Sequence, residues 1–197
     1  MEQIKNIMFI CTGNTCRSAM AEGLMKKMLE DKGITNIKVC SAGLRASTGE
    51  YSTDEAIMVM KEEYDVNLLN HQSVNVKNTN IKDMDLILCA THAHLTTLEY
   101  MYPELAHRIF TIKEYAYGPD AQDKDIDDPW GYPAEVYRKC AKEIYDALKL
   151  IVDKKAEAVV IIECSSTIFR TVKSISIEPK DIIIPLHNLR GKVEISS

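Results

Sequence analysis

The stretch from Ile4 to Lys32 constrains this chain more than any other. An apolar run, a short polar loop bracketed by a cysteine and an arginine, and an amphipathic segment follow one another without interruption. Ile4–Ile10 (IKNIMFI) reads as a buried strand. Ser18–Lys32 reads as a helix with Met20, Leu24 and Met28 on one stripe and Gly33 as its stop signal. Between them runs Cys11-Thr-Gly-Asn-Thr-Cys-Arg17. A loop that ends at a helix N-terminus points several backbone N–H groups at one spot, and the helix dipole adds positive potential there. Such a spot binds phosphate and also holds a thiolate. Gly13 is expected to turn the loop sharply, and Asn14 to tolerate a left-handed backbone. Arg17 can fork two bonds onto phosphate oxygens. Cys11, at the base of the loop, is the candidate nucleophile. Cys11 and Cys16 could also imitate a metal clip, but no second pair stands at zinc spacing.

Downstream, strand-like and helix-like segments alternate. Ile37–Cys40 reads as a second strand, followed by Ser41-Ala-Gly43. Ser52-Thr-Asp-Glu55 looks like a capping box opening a helix to about Tyr64. Met84–Ala90 is a third buried strand, and Thr91 can cap a helix running to Met101, before Pro103. Arg108–Ile112 is a fourth strand. Pro133 suits the first turn of a long helix with Val136, Cys140, Ile144, Leu148 and Val152 at a spacing of four. This alternation predicts a three-layer α/β fold: a four-stranded parallel sheet in the order 2-1-3-4, with helices on both faces. The cysteine loop then falls at the switch point, where such sheets bind ligands.

A thiolate that attacks phosphorus needs its leaving group protonated. The candidate acid lies in Asp127-Asp128-Pro129-Trp130-Gly131, just before the last helix. Asp128 is preferred, because Pro129 and Trp130 are expected to stiffen and shield it, and an apolar neighbour favours a protonated carboxyl. Acidic loops with Pro and Gly are otherwise ordinary solvated turns, so the assignment leans on the cysteine loop.

The whole-chain numbers set limits. At 197 residues there is room for one domain and a modest appendage. No apolar run is long enough to cross a bilayer, and no secretory signal is seen, so no membrane partner is expected. Six cysteines at irregular spacing suggest a reducing cytoplasm. A net charge of −5 counts against nucleic acid as a partner, so phosphate affinity must come locally, from loop amides and Arg17.

Taken together, Cys11–Ser18, Ser41-Ala-Gly43 and Asp128-Pro129 resemble the low-molecular-weight protein-tyrosine phosphatase family over roughly residues 4–153. The resemblance implies a phosphocysteine mechanism with no metal and no other cofactor. Phosphorylated proteins would be the substrates and inorganic phosphate a product. Cys11 would be the nucleophile, Arg17 the phosphate clamp, and Asp128 the proton donor and later the base. Thr12, Gly13, Asn14, Thr15 and Cys16 would form the substrate loop. Ser18 would stabilise the thiolate, His71 and Ser41 would support the loop, and Trp130 would line the substrate. Cys16 matches the loop cysteine that in this family can form a protective disulfide with the nucleophile.

Thr15 stands where tyrosine-specific members typically carry an aliphatic residue, and Trp130 is followed by Gly131 instead of a second aromatic. In both respects the chain resembles the bacterial protein arginine phosphatases, as it does at Thr91-His92 and Phe110–Tyr115. A guanidinium favours a carboxylate and little apolar bulk, whereas a phenol ring wants apolar walls. Phosphoarginine is therefore the expected substrate, with phosphotyrosine as the alternative. Two other readings compete. An arsenate reductase could use Cys89, but its relay needs a further cysteine about two helical turns on, where Thr96 and its neighbours supply none. A phosphate-binding module would have little use for Arg17 and Asp128 together. His92 and His94, two apart on a helix, are expected at the surface.

The expected division is a phosphatase domain over residues 1–155 and a C-terminal extension over 156–197. The extension carries the β-prone runs Val159–Glu163, Ile175–Glu178 and Ile182–Leu186 and no readable motif.

Overall fold

Alternation along the first strand sets the architecture. The computed structural model describes residues 4–168, with side chains from 4 to 153. Ile7 and Phe9 of β1 (Asn6–Cys11) enter one hydrophobic core, while Met8 and Ile10 enter a second on the opposite face. A strand buried on both faces belongs in the middle of a covered parallel sheet. β1 accordingly lies between β2 (Lys38–Gly43) and β3 (Leu86–Cys89), and β4 (Ile109–Thr111) completes a four-stranded sheet in the order β2-β1-β3-β4. All pairings are parallel, with Cys11 opposite Gly43 and Ile10 opposite Cys89. The strand ends that matter for chemistry thus converge where the order reverses, between β1 and β3.

The first core is closed by α1 (Arg17–Asp31), α2 (Asp54–Tyr64), the short α4 (Ile112–Tyr117) and α5 (Ala134–Ile168). The second is closed by α3 (His92–Met101) and a 3-10 turn over Pro103–Arg108. Phe9, Met20 and Leu24 are almost wholly buried, each stabilising the fold by about 1.5–3 kcal/mol. Threonines cap three helices: Thr53 accepts from Ala56 N, Thr91 from His94 N and Thr111 from Glu114 N.

Several local expectations need correction. The cap of α2 is Thr53, one residue past the expected Ser52, whose Oγ is buried with no partner among the described residues. β2 covers Lys38–Gly43 and not Ile37–Cys40, so Ser41-Ala-Gly43 belongs to the strand and does not follow it. The expected fourth strand stops at Thr111, because that residue caps α4. On α5, Tyr137 and not Val136 heads the buried stripe with Cys140, Ile144 and Leu148.

The chain divides into two units, Met1–Val152 and Asp153–Ser197, and the sheet belongs to the first. Val159–Glu163, β-prone by composition, is helical within α5. No Gly or Pro interrupts residues 134–168, and the Lys154-Lys-Ala-Glu-Ala158 run favours propagation of the helix through the β-branched residues. Ile175–Glu178 and Ile182–Leu186 lie outside the described residues.

Candidate active site

The loop after β1 folds around a residue with positive φ, and that residue is Asn14 (φ 59°), not Gly13. Asn is among the few side chains that enter the left-handed region at low cost. The glycine that the loop does require is Gly43, across the sheet. A Cβ there would lie 2.6 Å from Thr12 O and 2.9 Å from Asn14 N. Beyond Gly43 the backbone grips the loop directly: Leu44 N donates to Cys11 O and Arg45 N to Thr12 O, each at 2.9 Å.

Asn14 is fully buried and is the hub of the site. Its Nδ2 donates to Ser18 Oγ at 2.9 Å and to Ser41 Oγ at 2.8 Å, and its Oδ1 accepts from Val74 N at 2.8 Å. Ser41 Oγ donates onward to Glu22 Oε2 at 2.5 Å. His71 Nε2 lies 2.8 Å from Asn14 O, and a carbonyl only accepts, so that ring nitrogen carries the proton. Ser18 Oγ, already accepting from Asn14, sits 2.9 Å from Cys11 Sγ with its own proton free for the sulfur. Asn14 N donates to the same sulfur at 3.3 Å. Two donors therefore converge on Cys11. No side chain caps α1, which leaves its first-turn N–H groups to an anion.

Arg17 is 4% exposed. Its Nη1 donates to Ile126 O at 3.1 Å, and its Nη2 lies 3.4 Å from Thr12 Oγ1 and 2.5 Å from Asp128 Oδ2. Its Nε is buried with no partner among the described residues, a donor held ready for a ligand oxygen. Asp128 departs from expectation in its surroundings. Its side chain is 49% exposed and is held by Arg17, while Trp130 is 67% exposed and does not enclose it.

His94 also departs from expectation. It is buried, with Nε2 2.9 Å from Thr12 Oγ1 and Nδ1 2.7 Å from Thr91 Oγ1. Burial and the nearby Arg17 push it down to about 4, against smaller opposing effects of Asp128 and Asp125, so the ring is neutral. His92 is exposed. Thr91 as cap with His94 three residues on mirrors a capping box, and that was the available signal.

Cys16 lies under the loop, with Sγ 3.4 Å from Tyr137 Oη and 3.6 Å from Thr53 Oγ1, and burial raises its thiol above the usual range. Cys89 is wholly buried at the end of β3, and burial pushes its thiol far up. An open cavity of about 250 Å³ is lined by Cys11, Thr12, Gly13, Thr15, Cys16, Arg17, Asp128 and Trp130, together with Glu50. Glu22, Glu50, Thr53, Tyr137 and the Ile126 carbonyl were not identified from sequence, because nothing local marks them. They join the site through tertiary packing.

Chemically, the arrangement offers a sulfur nucleophile beside a guanidinium, with a carboxylate within reach of a leaving group. Known proteins resemble this chain over most of its length. A family described as "Low molecular weight phosphotyrosine protein phosphatase" matches residues 6–160. A protein-arginine-phosphatase of Bacillus subtilis (strain 168) is 35% identical over 144 residues, covering 73% of this chain and 92% of the relative. One from Geobacillus stearothermophilus is 37% identical over 151 residues, covering 77% and 93%. The crystal structure of a low-molecular-weight protein tyrosine phosphatase from T. tengcongensis superposes with a TM-score of 0.70 at 36% identity, covering 76% of this chain and 99% of that one. With fold, sequence identity and matched length in agreement, the chain belongs to the low-molecular-weight protein-tyrosine phosphatase family and is a cysteine-dependent phosphatase of phosphorylated proteins.

Proposed function

We propose that this phosphatase acts on phosphoarginine side chains in the cytoplasm, with Cys11 as nucleophile, Arg17 as clamp and Asp128 as acid and base. The observation that carries the substrate reading is the cavity wall. Thr15 and Asp128 face the same space as Cys11, beside the single aromatic Trp130. A polar mouth of this kind suits a guanidinium, and the two relatives described above are protein-arginine-phosphatases. The phosphotyrosine reading is supported by the likeness to the T. tengcongensis tyrosine phosphatase and by the exposed Trp130, which offers a face on which a phenol ring could stack.

In the first step the Cys11 thiolate attacks phosphorus and the P–N bond breaks. Asp128 gives its proton to the departing guanidine nitrogen. Ser18 and the Asn14 amide hold the sulfur anion ready, while loop amides and Arg17 meet the charge on the equatorial oxygens. In the second step Asp128, now a carboxylate, takes a proton from water as it attacks the phosphocysteine, releasing inorganic phosphate and the thiolate. The five cysteines whose side chains are described are free thiols, in keeping with a reducing compartment. Residues 1–155 would form the catalytic domain and 156–197 an appendage.

The test is a side-by-side turnover assay on phosphoarginine and phosphotyrosine peptides, with Cys11→Ser as control. The reading expects a higher kcat/KM on phosphoarginine and loss of turnover on both in the variant. Preference for phosphotyrosine would overturn the substrate assignment, and activity surviving in Cys11→Ser would overturn the mechanism.

A further inference from the structure

We infer that Glu50 is a specificity-determining residue whose carboxylate meets the guanidinium of the substrate at the mouth of the catalytic cavity. The inference rests on the phosphoarginine reading above and adds a second point of recognition to it.

Glu50 lines the cavity together with Cys11, Arg17 and Asp128. Its backbone is fixed. Glu50 N donates to Ser73 Oγ at 3.1 Å, Ser73 N returns a bond to Glu50 O at 2.8 Å, and Gly49 N donates to Ser73 O at 2.8 Å. Ser73 is itself fully buried and anchored through Oγ to Ser47 O at 2.5 Å. The next residue, Tyr51, pairs with Gln72 in an antiparallel bridge. The carboxylate, by contrast, is exposed and makes no hydrogen bond or ion pair among the described residues. A side chain on so well-held a backbone, with its charge left over, is arranged to meet something outside the chain.

Charge says what that partner is. A phosphate ester brings about two negative charges, and the cup offers it one buried guanidinium. A second carboxylate beside Asp128 opposes binding of an anionic aryl phosphate. It favours a substrate that carries its own cation next to the phosphorus. Phosphoarginine does, and its planar N–H edges accept carboxylate partners in fork geometry. Asp128 is committed to the leaving nitrogen by its role in proton transfer. The remaining N–H edge of the guanidinium needs another acceptor, and Glu50 supplies it. A tyrosine ring has no donor to offer there.

The experiment compares Glu50→Gln and Glu50→Lys with the unmodified protein, on matched phosphoarginine and phosphotyrosine peptides at one ionic strength. Glu50→Gln should lower kcat/KM on phosphoarginine by about five- to tenfold, mainly through KM, as expected for loss of a partly exposed charge-assisted bond. The same variant should raise kcat/KM on phosphotyrosine, because a repulsion is removed. Glu50→Lys should shift the ratio further in the same direction. If the unmodified protein cleaves phosphoarginine and both variants leave the ratio unchanged, the role of Glu50 is overturned while the substrate reading stands. If the unmodified protein cleaves phosphotyrosine alone, both fall.

Discussion

Asp128 Oδ2 lies 2.5 Å from Arg17 Nη2, so the proposed acid of the site and its proposed phosphate clamp are bonded to each other at the cavity they both line. Because Arg17 is also tied to Ile126 O, two residues before Asp128, the guanidinium fixes the acidic loop at two points. In the proposed mechanism the pair couples binding to chemistry: oxygens that engage Arg17 would arrive beside the carboxyl assigned to protonate the leaving group.

Asp128→Asn removes the proton without removing the bulk. Turnover of a phosphoarginine peptide, with its poorly departing nitrogen, should fall by about 100-fold or more. An activated aryl phosphate, whose phenolate leaves unaided, should lose far less. Steady-state kinetics on both substrates checks this, and equal losses would mean that Asp128 positions Arg17 and moves no proton.

Thr15→Ile tests the wall of the cavity. Thr15 O is held by Thr53 N at 3.2 Å, so the backbone should keep its course in the variant. The exchanged group turns a polar patch apolar beside the scissile bond. The ratio of phosphotyrosine to phosphoarginine kcat/KM should rise about tenfold, the usual value of one apolar group in a specificity pocket. A flat ratio would remove Thr15 from the substrate argument.

His94 gives the fold an acid-sensitive component. Its ring is pushed down to about 4 from 6.5, first by burial and then by Arg17, while Asp128 and Asp125 oppose the shift. Above pH 6.5 the residue is neutral whether the chain is folded or not. Between 6.5 and about 4 the unfolded chain takes up a proton that the folded chain refuses, so stability falls as pH drops through that window. The loss amounts to at most about 3 kcal/mol. Urea midpoints at pH 7 and 4.5 measure it, and His94→Gln should flatten the difference. The same variant should weaken the clamp, because His94 Nε2 holds the Thr12 hydroxyl that accepts from Arg17 Nη2.

What could be read from the chain beforehand divides along physical lines. The sheet order followed from alternation of apolar runs with amphipathic ones, because strands buried on both faces leave few topologies open. The Cys11–Ser18 loop was legible because its chemistry is local: nucleophile, turn residue, clamp and helix start lie within one short segment. Asp128 could be singled out only by pairing it with that loop. The rest depends on packing between distant segments. His94 looked like a surface residue because helix spacing says nothing about which face meets β1. Tyr137 was hidden because a stripe drawn at a strict spacing of four drifts off the true buried face of a 3.6-residue helix. Residue identity gave no sign of the Ile126 carbonyl, since every residue has one. Glu50 looked like any solvated acid until Ser73 was seen to hold its backbone at the cavity rim.

Cys16 supplies the last prediction. Its thiol is 4% exposed, sits 3.4 Å from Tyr137 Oη, and is raised above the usual range by burial, so it remains protonated at neutral pH, whereas the sulfur of Cys11, at the cavity wall, has Ser18 Oγ and the Asn14 amide turned towards it. Hydrogen peroxide should therefore oxidise Cys11 first, giving a sulfenic acid and releasing water. The Cys16 thiol then attacks that sulfur, a disulfide forms, and a second water leaves. The bond protects the nucleophile from further oxidation and is reopened by a dithiol. Wild-type protein treated with peroxide should recover most of its activity on reduction. Cys16→Ser, active beforehand to whatever extent, should recover little, because its sulfenic acid proceeds to the sulfinic state that thiols do not reverse. Intact-mass measurement distinguishes the two products: a loss of two hydrogens in the wild type, a gain of two oxygens in the variant. Full recovery of Cys16→Ser would show that Cys11 is protected by some group other than its neighbour in the loop.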